Sequence, residues 1–147
     1  MPGTGPILAD VNIWLATLVE GHPHHTRVID WWEEEVIPSG RQICFCRLTQ
    51  LGLLKLLTNE MVLGGSRRSP VQAWVAYERT LAQPPVAYLD EPPELASALR
   101  ALTRDSSPSP GLWTDAYLAA FAITAGLTLA TLDRGFRHFP GLNLILL

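Results

Sequence analysis

Three aspartates of the chain stand next to apolar segments of the kind that form buried strands. Asp10 directly follows residues 7–9 (ILA), Asp133 follows the apolar run that ends at Leu132, and Asp115 lies near the start of a helix of small residues. The carboxyl ends of the strands in an open α/β sheet share one edge, and ligands bind there. Three carboxylates at one edge would repel one another without a cation. The pattern therefore predicts that Asp10, Asp115 and Asp133 bind a divalent metal ion.

Each aspartate also has a purely structural explanation. Asp10 and Asp115 stand near predicted helix starts, where an acid caps the helix or interacts with the positive end of its dipole. Thr114 offers a competing cap for the second of these helices, and Asp133 can cap a short turn before Gly135. One cap contributes about 1 kcal/mol. Three independent caps have no reason to share one edge of a sheet, so the clustering favours the metal site.

The predicted ligand set favours a hard metal ion. Carboxylates without an accompanying set of His or Cys ligands suit Mg²⁺ or Mn²⁺, which keep several waters and also bind a substrate phosphate. Such ions activate water and stabilise charge on a phosphate, so phosphoryl chemistry is expected. Asn12 and Thr131, each two residues from a predicted ligand, are expected to orient the carboxylates. Asn12 also disfavours a phosphatase with an aspartyl nucleophile, because that chemistry usually needs an acid two residues after the nucleophile.

Alternating strands and helices predict the fold that carries these residues. Apolar strand segments are separated by helical patterns of about 10 to 15 residues, which indicates right-handed crossovers and a sheet covered on both faces. The expected fold is a three-layer α/β/α sandwich with a mainly parallel central sheet. Without an internal repeat or a linker, we expect a single domain over residues 1–147. The predicted strands lie within residues 7–9, 42–46, 86–89, 127–132 and 142–147.

Prolines and glycines set the predicted helix ends. An amphipathic helix that includes residues 28–36 is expected to end before Pro38, and Pro70 is expected in the first turn of a helix over residues 71–81. A leucine-rich helix is expected over residues 48–58. Two further helices are predicted: one begins after an N-cap at Asp90 or Glu91 and ends at Leu102, and one spans residues 112–125 and ends at Gly126.

Composition and charge narrow the class of protein. With 48% hydrophobic residues the chain can bury a full core. The formal net charge of −3 disfavours a protein that coats nucleic acid through bulk electrostatics, but metal-binding acids would themselves lower the charge of a nuclease. Arg104 and Arg134 remain available as phosphate contacts. No leader segment and no run of about 18 apolar residues is evident, which predicts a cytoplasmic protein without a membrane partner.

Four segments, in order along nearly the whole chain, resemble the PIN-domain ribonucleases, specifically the VapC-type toxins of toxin–antitoxin pairs. The resemblance implies an endoribonuclease that uses Mg²⁺ or Mn²⁺ as cofactor, with Asp10, Asp115 and Asp133 as catalytic metal ligands and RNA as substrate. It also implies a homodimer and a small cognate antitoxin that neutralises the enzyme. The four segments are the strand before Asp10, residues 49–55 (TQLGLLK), residues 114–118 (TDAYL) and residues 131–135 (TLDRG).

The third helix departs from the family pattern. The family usually has a glutamate there, which matches Gln50 in one alignment and Gly52 in another, and neither residue is an acid. Positions two apart lie on different faces of a helix, and we favour Gln50 as a catalytic residue because its amide oxygen can accept from a metal-bound water. The lost negative charge should weaken metal binding. An alternative is a catalytically weak PIN-like module that binds RNA or the antitoxin without efficient cleavage.

Overall fold

Five short strands form the central sheet in the computed structural model, which describes residues 4–147. Every strand pair in this part of the chain is parallel, and the spatial order is β3-β2-β1-β4-β5. This confirms the predicted three-layer sandwich and sharpens it, because the sheet is parallel throughout. The strands are β1 (Ile7–Ala9), β2 (Ile43–Phe45), β3 (Val86–Tyr88), β4 (Thr128–Thr131) and β5 (Asn143–Leu146).

Helices cover both faces of the sheet. The first half of the chain supplies α1 to α6, and the second half supplies α7 and α8. The helices are α1 (Val11–Leu18), α2 (His25–Trp31), α3 (Ile37–Ser39), α4 (Arg47–Leu57), α5 (Glu60–Leu63), α6 (Pro70–Leu81), α7 (Leu95–Thr103) and α8 (Leu112–Ala125). No helix among residues 4–147 is long and apolar enough to cross a membrane.

The core has one part on each face of the sheet, and the alternation of side chains along β1 feeds both. Ile7 and Ala9 belong to the apolar cluster beneath α1, α4 and α6, whereas Leu8 belongs to the cluster beneath α7 and α8. In the first cluster the rings of Trp14 and Phe45 stack with centroids 3.8 Å apart. All three residues of β1 are buried, as expected for a central parallel strand.

Two helix ends match the sequence prediction closely because their signals are local. Helix α6 begins at Pro70 behind a reciprocal cap, in which the Ser69 hydroxyl accepts from the Gln72 amide and the Gln72 side chain accepts from the Ser69 amide. Helix α8 ends at Gly126, whose φ of 69° lies in the left-handed region. The start and length of α8 position Asp115 in its first turn.

Three predictions about helix ends were wrong. The chain stays helical past Pro38, because a π turn at Trp32–Val36 shifts the backbone hydrogen-bond register and Pro38 then occupies the first turn of α3, where a missing amide donor costs little. Asp90 is not a cap, because α7 begins only at Leu95. Thr114 is not a cap either, because α8 begins two residues earlier and the Thr114 hydroxyl donates to the carbonyl of Gly111.

Candidate active site

The candidate site lies where the order of strands reverses. From β1 the chain proceeds to β2 and β3 on one side, and it then returns to place β4 on the other side of β1. In open α/β sheets the crevice outside the carboxyl ends of the strands at such a reversal is the usual ligand site. Asp10 follows β1 directly, and its backbone amide donates to the carbonyl of Ala130 in β4 at 2.9 Å.

Both carboxylate oxygens of Asp10 are held in place. Oδ1 accepts from the amide of Val11 at 2.7 Å, which caps α1, and Oδ2 accepts from the hydroxyl of Thr131 at 2.8 Å. Burial raises the pKa of Asp10 above its ordinary value, and the charge of Asp133 adds to this effect, while the two hydrogen bonds oppose it. Asp10 is therefore a helix cap and also a member of the group of acids.

A hydrogen-bond network links Asp10 to the segment that carries Asp133. The Thr131 hydroxyl donates to Asp10 and accepts from the side-chain amide of Asn12 at 3.3 Å and from the backbone amide of Asp133 at 3.0 Å. The Asn12 side-chain oxygen accepts from the amide of Leu132 at 3.2 Å. Asn12 and Thr131 thus bridge the ends of β1 and β4.

Asp133 lies at an exposed turn immediately after β4. Its Oδ1 accepts from the amide of Gly135 at 2.8 Å, which caps the short 3-10 helix Arg134–His138. A Cβ at position 135 would lie 3.1 Å from that same oxygen, so the turn fits glycine best. The second carboxylate oxygen of Asp133 has no hydrogen-bond partner among residues 4–147.

Asp115 is the most perturbed carboxyl of the three. Burial raises its pKa to about 6, and the negative charges of Asp133 and Asp10 contribute to the increase. The positive charge that His138 carries when protonated lowers it. The structure therefore brings the three predicted acids close enough for their charges to act on one another, although they come from three separate segments.

The donor chemistry at this edge fits a hard divalent cation. The acids offer oxygen ligands only, and the mutual effect on their pKa values shows negative charge without a compensating partner. Among residues 4–147 no three His, Cys, Asp or Glu side chains already converge on a common point for an ion. Mg²⁺ does not require such convergence, because it keeps several waters and contacts only one or two carboxylates directly.

Gln50 has partners other than the acids. It is buried, its side-chain oxygen accepts from the guanidinium of Arg47 at 2.5 Å, and it forms a side-chain hydrogen bond with Tyr77. The oxygen that we expected to accept from a metal-bound water thus accepts from an arginine three residues earlier. This departs from the sequence-based interpretation, because only the folded chain shows where the side chains of α4 point.

Gly52, the other position considered for the missing glutamate, serves the packing of two helices. A Cβ at position 52 would lie 2.6 Å from Cγ2 of Val11, closer than two carbon atoms can approach. Glycine therefore lets α4 approach the start of α1, one residue after Asp10. A glutamate at position 52 would require the two helices to move apart.

Arg104 and Arg134, the predicted phosphate contacts, are both exposed. Neither forms a hydrogen bond or an ion pair within residues 4–147. Arg134 follows Asp133 directly and begins the 3-10 helix, whereas Arg104 follows the last residue of α7. Arg134 is thus next to the acids along the chain, and both guanidinium groups are free to bind an anion.

A cleft beside Asp115 was not anticipated from the sequence. Its volume is about 610 Å³, and its lining includes Asp115, His138 and the serine-rich loop between α7 and α8. The sequence contains a usable signal, because residues 105–109, an aspartate, three serines and a proline, form a polar segment just before α8, and His138 lies in the turn that begins after Asp133. Their proximity depends on the fold, since α8 separates them along the chain.

The PIN domain family model matches residues 7–142 of the chain. The chain belongs to the PIN domain family. This PIN domain is 42% identical over 145 residues to Ribonuclease VapC41 of Mycobacterium tuberculosis, and the alignment covers 96% of this chain and 98% of the relative. Ribonuclease VapC33 of the same organism is 29% identical over 138 residues, with 93% and 94% covered. The match therefore spans the strands and the acids described above.

Solved structures share the fold of this PIN domain. DNA-bound VapBC of Salmonella typhimurium superposes with a TM-score of 0.66 at 21% identity, covering 95% of this chain and 96% of the other. VapC20 of Mycobacterium tuberculosis, a toxin that cleaves the sarcin–ricin loop, superposes with a TM-score of 0.62 at 17% identity, covering 92% and 98%. At these identities the likeness establishes the fold.

Proposed function

We propose that this PIN domain is a toxin of a toxin–antitoxin pair, an endoribonuclease that hydrolyses RNA phosphodiester bonds with Mg²⁺ or Mn²⁺ as cofactor. The observation that carries the proposal is the mutual effect of Asp10, Asp115 and Asp133 on their ionisation at the reversal of strand order. The 42% identity to a ribonuclease over nearly the whole chain supports it. We further propose that residues 1–147 form one domain, of which residues 1–3 lie outside the described part.

Each residue of the site has a distinct task in this proposal. Asp10, Asp115 and Asp133 would hold the ion, which when bound activates water and stabilises negative charge on the phosphate. Asn12 and Thr131 fix the orientation of Asp10 and of the segment that leads to Asp133. Arg134 and Arg104 would contact phosphates of the RNA, since guanidinium groups match phosphate geometry well.

A groove between α1, α2 and α6 is the surface that we assign to the antitoxin. Its volume is about 490 Å³, with Leu18, Ile29 and Trp32 as apolar lining and Arg68 and Arg79 as cationic lining. An amphipathic segment with an apolar face and acidic flanks suits such a groove. Copurification of this chain with the product of a neighbouring short gene tests the assignment, and glutamate at Arg79 should weaken that complex.

We also propose a homodimer, because large apolar side chains remain exposed. Met61 is 93% exposed, Val71 is 74% exposed and Trp74 is 44% exposed, and all three lie in or near α5 and α6. Burying such side chains is a common driving force for association. Light scattering of the purified chain over a range of concentrations tests this, and a monomer at every concentration would contradict it.

Metal-dependent cleavage of RNA is the decisive experiment. A panel of structured RNAs should be cut by the purified chain with Mg²⁺ or Mn²⁺ and left intact with EDTA. Asp115→Asn should remove cleavage because it takes away a charged oxygen ligand while keeping the shape of the side chain. Asp30→Asn, at an exposed position in α2, is the matched control and should cut normally. Undiminished metal-dependent cleavage by Asp115→Asn would count against the site.

The neutral Gln50, which is bonded to Arg47, favours a second candidate. Without a fourth acid the domain could bind RNA or the antitoxin and cleave inefficiently. The same RNA panel separates the two functions, because this candidate predicts a gel shift without products at any divalent metal concentration, whereas the endoribonuclease predicts products at sub-stoichiometric enzyme.

A further inference from the structure

The cleft beside Asp115 has one aromatic wall. His138 and Phe139 lie with ring centroids 4.2 Å apart and planes tilted by 35°, and Phe139 in turn lies 6.0 Å from Phe136. Phe139 and Phe136 are buried, whereas His138 is exposed. The imidazole is therefore an accessible flat surface backed by a rigid apolar layer.

The opposite wall carries free hydrogen-bonding groups. Ser107 and Ser109 line the cleft, and within residues 4–147 neither hydroxyl has a hydrogen-bond partner. Ser106 also lines it, but its hydroxyl already donates to the carbonyl of Leu102. A hydroxyl both donates and accepts, so Ser107 and Ser109 can bond to the edge of a heterocycle or to a ribose hydroxyl.

The charge of the cleft disfavours an anion in its interior. Asp105 and Asp115 both line it, and His138 is the only cationic side chain among the described lining residues. A phosphate placed there would face two carboxylates. A neutral, flat group with polar edges fits better, and a volume of about 610 Å³ is within the range of small-molecule pockets.

Asp115 belongs to this cleft and also to the group of acids at the sheet edge. A ligand in the cleft is therefore next to the place where the proposed function puts the scissile phosphate. We propose that the cleft binds the base of one unpaired nucleotide adjacent to the scissile phosphate of the RNA, with the base stacked on His138 and its polar edge or its ribose bonded to Ser107 and Ser109.

This inference rests on the proposed function and deepens it, because it restricts the substrate to RNA that is unpaired at the cut. A base within a duplex is stacked on both sides and cannot enter a cleft, whereas bases of loops and bulges are readily splayed out and stacked on aromatic side chains. His138 acts here as a binding residue and Phe139 as the support that holds its ring.

Binding of mononucleotides tests the cleft without any cleavage. The ring-proton signals of His138, assigned by their absence in His138→Ala, should shift upfield in a saturable way when one of the four nucleoside 5′-monophosphates is added, because a stacked base imposes a ring current. Ribose 5-phosphate is the control and should produce no such shift. An equal response to ribose 5-phosphate, or no response to any nucleotide at millimolar concentration, would overturn the proposal.

Kinetics of an unpaired oligoribonucleotide supply the second test. His138→Ala should raise KM about tenfold and change kcat little, because stacking of one base contributes at that level, and His138→Phe should restore KM. His24→Ala, at an exposed histidine outside the cleft, is the matched control. If His138→Phe is as impaired as His138→Ala, or if neither differs from the wild type, stacking is refuted.

An abasic substitution separates this inference from the proposed function. Removing the base of the nucleotide next to the cut should impair the wild type as much as His138→Ala does, and it should not impair His138→Ala further. Full additivity of the two changes would show that the base and His138 do not interact. If the wild type cleaves no RNA at all, the proposed function fails, while the mononucleotide experiment still decides the cleft.

Discussion

Two polar regions lie at the same edge of the sheet, and their charges are balanced differently. At the ends of β1 and β4, Asp10, Asp115 and Asp133 raise one another's energy in the ionised state and have no cation among their hydrogen-bond partners. At the end of β2, Arg47 donates to Gln50 and its guanidinium lies 5.2 Å from the ring of Tyr88. The first region is poised to accept an external cation, whereas the second already contains its own.

The comparison also explains why a neutral residue is tolerated on α4. Gln50 is buried beside Arg47 and Tyr77, so its hydrogen bonds are satisfied within the chain. The carboxylates at the first region are less well satisfied, and such unfavourable arrangements concentrate at functional sites. Substitutions in the two regions should therefore affect metal binding very differently.

The largest expected effect is that of Asp10→Asn on RNA cleavage. The change keeps the shape of the residue and the cap on α1 but removes a negative charge next to Thr131, so cleavage should fall by at least about a hundredfold. Initial rates at saturating Mn²⁺ measure it, and circular dichroism confirms that the fold is retained. Cleavage within about threefold of the wild type would mean that the first region does not hold the ion.

A smaller effect is expected for Thr131→Val, which removes only the hydroxyl that bonds to Asp10. Loss of a residue that orients a metal ligand typically reduces metal affinity or activity by about 10- to 100-fold. Thr17→Val is the matched control, because the Thr17 hydroxyl donates to the carbonyl of Ile13 within α1 and is not linked to the acids. Equal Mn²⁺ affinities of the two variants, measured by calorimetry, would exclude an orienting role for Thr131.

Stability without metal should depend on pH through Asp115. Its pKa is raised from 3.8 to about 6 by folding, so the folded state binds this proton more tightly than the unfolded state does. The resulting stabilisation is fully present below about pH 4 and is lost as the pH rises through about 6. Asp115→Asn mimics the protonated form and should be more stable than the wild type by about 1 kcal/mol above pH 7, an amount reduced for solvent screening.

Denaturant unfolding in EDTA at about pH 4 and pH 7.5 measures this difference. The advantage of Asp115→Asn should vanish at the lower pH and should be removed at the higher pH by adding Mn²⁺, which stabilises only the wild type. A constant difference at both pH values would show that the change acts through packing and not through the proton.

The smallest expected effect is that of Gln50→Glu on metal binding. The charge count of the sequence alone predicts tighter binding of Mn²⁺, but the new carboxylate would lie beside Arg47 and form an ion pair there. We therefore expect Mn²⁺ affinity within about twofold of the wild type. Gln50→Glu combined with Arg47→Ala is the informative companion, because without the arginine the carboxylate is free. Tenfold tighter binding by the single variant would show that position 50 faces the metal.

The parts of the fold that local chemistry determines could be predicted from the sequence. The reciprocal cap before Pro70 and the left-handed Gly126 set helix ends through contacts within a few residues, and both were predicted closely. The end at Pro38 was not, because a π turn changes the hydrogen-bond register without a local sequence signal. The strand order places Asp10 beside Thr131, and the rules of parallel sheets made that placement predictable.

The parts of the site that depend on tertiary contacts could not be predicted in the same way. The three acids were found because acids after strands are a recognisable pattern, and α/β topology brings such positions together. The pairing of Arg47 with Gln50 depends on which way two side chains of one helix turn. The cleft at His138 requires two segments that α8 separates, and neither segment has the residue types of a familiar motif.

The contact between Gly52 and Val11 has an evolutionary consequence. Because a Cβ at position 52 would meet the Val11 side chain, these two positions share a fixed volume next to Asp10. In homologous chains the two positions should vary together, with alanine or serine in place of Gly52 accompanied by a residue smaller than valine in place of Val11. Drift in the core of this family is thereby restricted at the point where a helix crossing sets the position of a catalytic side chain.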